Sequence, residues 1–231
     1  MKKIKRVLIK IGLIVLSLML LSIFLVLSLR WANPPTTAFM LGHKFFAEEK
    51  NQITYEWKDW DQISHNMSLA VIAAEDQRFP EHHGIDFKQL NRVLGDYKKG
   101  KRLRGASTIS QQTAKNIFLW SGRSYFRKGL EIWFTLWLEI LLDKKRILEL
   151  YLNIAEFGNG VYGAEAASQI YFKKSAERIT KRESAMFAAV LPNPKIYKVN
   201  KPSNTVYKRQ SWILKQMKNL GMEPIKLLEK K

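Results

Sequence analysis

The chain has 231 residues, no cysteine, and 39 Lys and Arg against 20 Asp and Glu, a formal charge of +19. That length holds one sizeable domain with an appendage rather than two full domains. The missing cysteine excludes disulfide scaffolds, zinc ribbons, thiol nucleophiles and iron–sulfur clusters. An apolar share of 46% excludes a disordered chain, and the charge calls for an anionic partner: nucleic acid, anionic lipid or a phosphate-bearing substrate.

Residues 11–29 form 19 consecutive uncharged, mostly apolar positions. As a helix they span about 28 Å, close to the ~30 Å hydrocarbon core of a bilayer. Lys2, Lys3, Lys5, Arg6 and Lys10 precede this run, and only Arg30 follows closely. Residues 1–10 therefore read as a basic cytoplasmic tail, 11–29 as a single transmembrane helix, and everything after Trp31 as extracytoplasmic, beyond the inner (cytoplasmic) membrane. A cleaved signal peptide would have a shorter apolar region, roughly 7–15 residues, ending in small residues; Leu29-Arg30-Trp31 stands there instead. Removing the six basic residues up to Arg30 from the 39 leaves 33 cations against 20 carboxylates outside the cytoplasm. No nucleic acid is expected there. A membrane surface or a pyrophosphate-bearing lipid suits this charge.

Residues 30–59 read as a juxtamembrane connector with Pro34-Pro35, residues 60–221 as the functional domain, and 222–231 as a C-terminal tail. The domain pattern is helical, with no run of alternating strands. Ile63, Met67, Ala70, Val71 and Ala74 repeat at 3.6 residues, so a helix leads up to Glu75. Ser107 is placed to cap a helix through Phe118, Ser124 one reaching Leu142, and Asp143 the next. Gly158 and Gly160 interrupt, and a short helix resumes near 162–171. Thr180 and Glu183 form a capping box ahead of residues 185–190, which Pro192 and Pro194 terminate. A last amphipathic helix carries Val206, Ile213, Leu214, Met217 and Leu220, and Gly221 stops it. Residues 98–105 are basic and glycine-flanked, the pattern of a mobile loop. Ile117, Phe118, Leu119, Trp120, Tyr125 and Phe126 flank the polar loop 121–124 and are candidates for docking at a membrane interface.

The candidate chemical groups are carboxylates in unusual places. Glu75-Asp76 closes an apolar helix, where negative charge is unfavourable. Glu131 lies in a stretch apolar nearly all round, with Arg127 at i−4 and Lys128 at i−3; it is either a helical salt bridge or a site residue. Ser107, Gln111, Gln112, Lys115 and Asn116 crowd one helix start: hydroxyls and amides suit sugars, and Lys115, Arg123, Arg127 and Lys128 suit phosphates. His82-His83 lacks the i, i+4 spacing of a helical zinc pair, and no metal is assigned to it.

Five ordered segments resemble the signatures of the peptidoglycan glycosyltransferases, the family shared with the N-terminal domains of bifunctional penicillin-binding proteins. They are Glu75-Asp76-x-x-Phe79-x-x-His82-x-Gly84-x-Asp86; Gly105-x-Ser107-Thr108-Ile109-x-Gln111-Gln112-x-x-Lys115-Asn116; Arg127-Lys128-x-x-Glu131; Lys144-x-x-Ile147-Leu148-Glu149-x-Tyr151-Leu152-Asn153; and Phe157-Gly158-x-Gly160-Val161-Tyr162-Gly163. The resemblance covers roughly residues 60–220. Leu130 departs from it, standing where some relatives carry a lysine.

The resemblance implies an all-α fold, a lysozyme-like helical lobe with a smaller membrane-proximal lobe. It implies polymerisation of lipid II into β-1,4 glycan strands for cell-wall biogenesis, with inversion at the anomeric carbon and release of undecaprenyl pyrophosphate. Glu75 is then the general base and Asp76 its support. Lys115, Arg123, Arg127 and Lys128 hold the pyrophosphate. Glu131 either orients those cations or holds a divalent ion, Mg or Mn, there. Ser107, Gln111, Gln112 and Asn116 hold donor sugar or phosphate groups, and Glu149 and Asn153 support the cleft. The partners implied are lipid II, the nascent glycan strand, the membrane and other cell-wall synthesis proteins. Two alternatives belong to other classes: a lytic transglycosylase of similar fold, and a non-catalytic membrane-anchored scaffold.

Overall fold

The structure, a computed structural model, describes residues 2–46, 52–100, 107–122 and 124–230. Among the described residues 67% are helical and 3% are in strands. The first helix, α1 (Lys2–Ser28), contains the apolar run and is long and apolar enough to cross a membrane. Most of its length is bare, but Val26 and Leu29 are buried. Two short elements follow in the connector, where the sequence pattern marks none: α2 (Ala38–Phe46) and strand β1 (Thr54–Tyr55).

In the domain, α3 (His65–Glu75) is capped by Ser64, which accepts from the Asn66 amide. Every residue from Met67 to Ala73 is buried; a helix apolar on all faces sits at the centre of a fold rather than on its surface. Then come α4 (Phe87–Lys98), α5 (Ile109–Phe118), α6 (Tyr125–Leu141) and α7 (Lys144–Ile154). A two-strand hairpin, β2 (Glu156–Gly158) and β3 (Val161–Tyr162), leads to α8 (Ala164–Phe172). The chain finishes with α9 (Lys181–Val190), α10 (Asn204–Leu220) and α11 (Glu223–Glu229).

The caps follow side-chain chemistry. Ser124, Asp143 and Thr180 each accept the backbone N–H three residues on, as their positions predict. At α5 the expected cap, Ser107, is displaced by Thr108, which forms a capping box with Gln111. The residue three places after Ser107 is Ser110, too short to reach back, whereas Gln111 can. The expected tail at 222–231 is also different: Pro224, Ile225 and Leu228 of α11 are buried in the core. The basic segment 98–105 is described only to Gly100; residues 101–106 lie outside the described residues.

Helices α9, α10 and α11 pack around α3, while α5 packs between α6 and α7, with α2 on α5 and α1 on α6. The small sheet has order β1-β3-β2, with β1 parallel to β3 and Thr54 opposite Val161. It ties the connector to the hairpin after α7. Gly163, at φ +86°, lets that hairpin close: a Cβ there would lie 2.5 Å from the Asn153 carbonyl oxygen. Asn153 and Glu149 also clamp the connector from α7. Asn153 exchanges two 2.8 Å bonds with the Lys58 backbone, and Glu149 accepts from the Trp60 N–H at 2.6 Å.

The end of α1 is bound to the domain. Trp133 Nε1 donates to Ser22 Oγ at 3.0 Å, and Arg146 donates to the Leu29 and Ala32 carbonyls, acceptors left open at a helix end. Farther along, Arg30 and Leu142 border one cavity of about 360 Å³. The six docking candidates divide. Ile117 and Leu119 are core, Phe118 stacks on Phe134 at 4.3 Å, and Trp120, Tyr125 and Phe126 are exposed.

Asn153→Ala strands a backbone N–H and a carbonyl of Lys58. The expected cost is ~1–3 kcal/mol, a fall in thermal midpoint of roughly 2–4 °C per kcal/mol for a chain of this size. Thermal unfolding of the full chain in detergent measures it, and an unchanged midpoint would remove the clamp from the list of stabilising contacts.

Candidate active site

Glu75 is the last residue of α3, and its side chain leaves the buried helix only 15% exposed. A carboxylate at a helix C-terminus opposes the helix dipole, so donors from elsewhere must meet it. Arg209 Nη2 of α10 donates to Glu75 Oε1 at 3.0 Å, and Gln112 Nε2 of α5 donates to Oε2 at 3.0 Å. Behind Gln112, Tyr151 of α7 donates its hydroxyl to Gln112 Oε1 at 3.1 Å. Burial, and then the negative charge of Glu75, push the Tyr151 hydroxyl well above the usual phenol range, so it is a proton donor at any working pH.

Asp76 points the other way and acts as a latch. Both of its oxygens meet His82 Nε2, at 2.9 and 3.0 Å, and Oδ2 also accepts the Ile109 N–H at 3.0 Å. That N–H is one of the unpaired donors at the start of α5, so Asp76 fixes where α5 begins. Thr108 reinforces the joint by donating to the Gly84 carbonyl at 2.5 Å. Asp76, His82 and Asp86 lie close enough to share a cation. Asp86, however, already caps α4 and pairs with Arg78 at 2.8 Å, and Asp76 is occupied as described. These groups fit a hydrogen-bonded latch. His83 is exposed and stands apart from it.

The cationic cluster is built on α6. Glu131 is buried, and its two oxygens are taken separately: Arg127 Nη1 binds Oε2 at 2.7 Å, and Lys128 Nζ binds Oε1. Lys128 also reaches Ser107 Oγ at 3.5 Å. A buried carboxylate is tolerated only with such partners. Lys115, one turn beyond Gln112 on α5, stands between the two clusters and senses Glu131, Arg127, Lys128 and Glu75. Its Nζ lies 5.1 Å from the centre of the Phe39 ring of α2. Burial holds the Lys115 ammonium below the ordinary lysine range, against the opposing pull of Glu131.

The predicted residues therefore fall into two neighbouring groups: Glu75 with Gln112, and Ser107 with Arg127, Lys128 and Glu131, joined by Lys115. Gln111 serves the α5 cap through its side chain. Asn116 is half-buried on α5. Arg123 lies outside the described residues. Arg209 was not anticipated: it is 134 positions from Glu75, in a helix whose apolar period signals only packing. Tyr151 falls within a signature, but nothing in its spacing shows that its hydroxyl reaches Gln112.

A family model described as Transglycosylase matches residues 42–218. The chain is 54% identical over 204 residues to a biosynthetic peptidoglycan transglycosylase of Haemophilus influenzae, covering 86% of this chain and 83% of the relative. It is 51% identical over 212 residues to that of Mannheimia succiniciproducens, covering 90% and 87%. It is 48% identical over 227 residues to that of Shewanella oneidensis, covering 98% and 97%.

A lysine with a lowered pKa loses its charge at lower pH than an exposed one, so a phosphate contact through Lys115 fails early on the alkaline side. Lys115→Arg keeps its charge throughout. The alkaline limb of kcat/KM is expected to move to higher pH in that variant, whatever happens to its maximum. An alkaline limb at the same pH would assign it to another group.

Proposed function

The chain belongs to the transglycosylase family and is a peptidoglycan glycosyltransferase, and from that premise we propose that it polymerises lipid II by an inverting displacement with Glu75 as general base. The observation that carries this reading is the pairing of a donor-held carboxylate at the end of α3 with a cationic cluster on α6, bridged by Lys115.

The acceptor is the 4-hydroxyl of the N-acetylglucosamine of lipid II, a poor nucleophile that needs a base within hydrogen-bond reach. Glu75 has lone pairs left after Arg209 and Gln112, since an ionised carboxylate offers about four. As the hydroxyl oxygen attacks the anomeric carbon of the growing chain, its proton passes to Glu75. The bond from that carbon to the lipid pyrophosphate breaks, and the electron pair leaves with the pyrophosphate oxygen. Attack from the opposite face converts an α linkage into a β-1,4 bond. Charge grows on the departing oxygens, so cations already aimed there lower the barrier. Lys115, Arg127 and Lys128 take that role, and Arg123, outside the described residues, is assigned to it from the sequence alone. Glu131 holds Arg127 and Lys128 in place. Ser107, Gln112 and Asn116 line the donor side, and Asp76 positions α5. Both oxygens of Glu131 are already paired with Arg127 and Lys128, whose charges would repel a Mg or Mn ion, so this donor set does not fit one.

The membrane placement follows from α1. The basic residues before its apolar run support a cytoplasmic N-terminus and a catalytic domain outside the inner membrane. Trp133 meets Ser22 inside that run, which brings α6 to the bilayer. Trp120, Tyr125 and Phe126 are exposed where a lipid-tailed substrate would enter, and α4 carries Phe87, Leu94 and Tyr97 exposed on an amphipathic helix. Aromatic side chains suit the headgroup level. Cell-wall synthesis proteins are natural partners at the same membrane.

Two measurements test the reading. Incubation of the full chain with lipid II is expected to give polymer; finished glycan should remain uncut. Fragments from the glycan would identify a lytic enzyme, and no product from either a scaffold. Glu75→Gln should keep the fold and lower turnover by ~10²–10⁴-fold; polymerisation within about threefold of the parent would sink the base assignment. For docking, Trp120→Phe in vesicles of brominated lipid should remove part of the quenched tryptophan fluorescence. Unaltered quenching would place Trp120 in water.

A further inference from the structure

Gln112 has two faces with opposite hydrogen-bonding character, and its orientation decides what Glu75 can be. In the structure the amide NH₂ points to Glu75 Oε2 at 3.0 Å and the carbonyl oxygen accepts from Tyr151 at 3.1 Å. The reverse orientation would bring the amide oxygen against a carboxylate oxygen, two acceptors with no proton between them. It becomes acceptable only when Glu75 carries a proton to donate. The NH₂ would then face Tyr151, whose own hydroxyl proton would need another acceptor.

Tyr151 is 1% exposed, so bulk water cannot take that proton, and among the described residues its hydroxyl donates to Gln112 alone. An unpaired buried donor is costly. Its raised pKa keeps the phenol protonated, so it cannot serve as an acceptor-only oxygen either. Tyr151 itself is fixed, since α7 is buried along Ile147–Ile154.

We propose that Tyr151 is a positioning residue for the polymerisation. Its hydroxyl locks the Gln112 amide with the NH₂ toward Glu75, which holds that carboxylate as the acceptor that takes the sugar proton. This rests on Glu75 being the general base. The other charges around Glu75 are Arg209 from α10, Lys115 from α5 and Asp76 beside it. Of the remaining helices packed on α3, α9 presents uncharged Ser184–Val190, and the Glu229 of α11 pairs with His65 at the opposite end of α3.

The test is the pH dependence of lipid II polymerisation by the purified full chain. Tyr151→Phe removes one oxygen and frees the amide to turn. Its acid limb of kcat/KM should move up by about half to one pH unit. At pH values on that limb kcat should fall by up to about tenfold, the most a one-unit shift gives, while KM stays within about twofold. Replacing Tyr151 by 3-fluorotyrosine keeps the volume and strengthens the donor, so the limb should move slightly down; this variant decides the matter if the phenylalanine variant does not fold. An acid limb that moves in neither folded variant overturns the proposal, as does a change confined to KM. Failure of the underlying reading is separate: an active Glu75→Gln removes the base assignment, whereas an inactive Glu75→Gln beside an unmoved Tyr151 limb removes only the positioning role.

Discussion

Two carboxylates at the end of a wholly buried helix set the terms for the rest of the domain. Helix α3 has no solvent face along Met67–Ala73, so its C-terminus delivers Glu75 and Asp76 into the interior, where the helix dipole also opposes negative charge. Each must be met by donors, and those donors lie on separate elements. Asp76 captures the start of α5 and the His82 turn. Glu75 draws in Gln112 of α5 and Arg209 of α10, and Tyr151 of α7 stands behind Gln112. The convergence of α5, α7 and α10 on one helix end is at once the solution to an electrostatic problem and the construction of a site.

Glu131 repeats this logic with the opposite outcome. Here the carboxylate is the buried partner, and the useful groups are the cations it holds. Breaking such a pair by removing one member typically costs 3–5 kcal/mol because a charge is left uncompensated, so the cluster is stable only as a unit. In the proposed reaction its value would be that Arg127 and Lys128 are oriented before charge develops, with little reorganisation left for the step itself. Lys115 is different. It lacks a carboxylate at ion-pair distance among the described residues and is partly desolvated over Phe39. A pyrophosphate oxygen would supply the counter-charge that the fold withholds.

The anchor is structurally continuous with this chemistry. Because α1 packs on α6 and Trp133 donates to Ser22, the helix bearing the cationic cluster is held by the helix that is long and apolar enough to cross a membrane. Arg146 completes the joint by binding carbonyls at the end of α1 and the Glu149 carboxylate on its own helix. In the proposed reaction, a substrate whose tail stays in lipid would meet a site fixed to α1, not a domain on a loose tether.

The chain itself determined what depends on local pattern. The apolar run of α1, the charge asymmetry around it, the caps at Ser124, Asp143 and Thr180, and the helix ending at Glu75 follow from side-chain periodicity and short-range hydrogen bonding. The ion pairs of Glu131 were legible for the same reason, since its partners stand at i−3 and i−4. Helix α4 was missed although it carries a capping aspartate and an amphipathic period; α2, α11 and the short sheet were not legible, the strands of two or three residues being stabilised by pairing across 107 positions between Thr54 and Val161. Thr108 in place of Ser107 depended on which side chain could reach back from three residues on. Arg209 and the Tyr151–Gln112 contact were decided by tertiary structure alone. Nothing in an amphipathic helix states which distant carboxylate its arginine will meet, and an amide has no preferred face until packing places a donor on one side and an acceptor on the other.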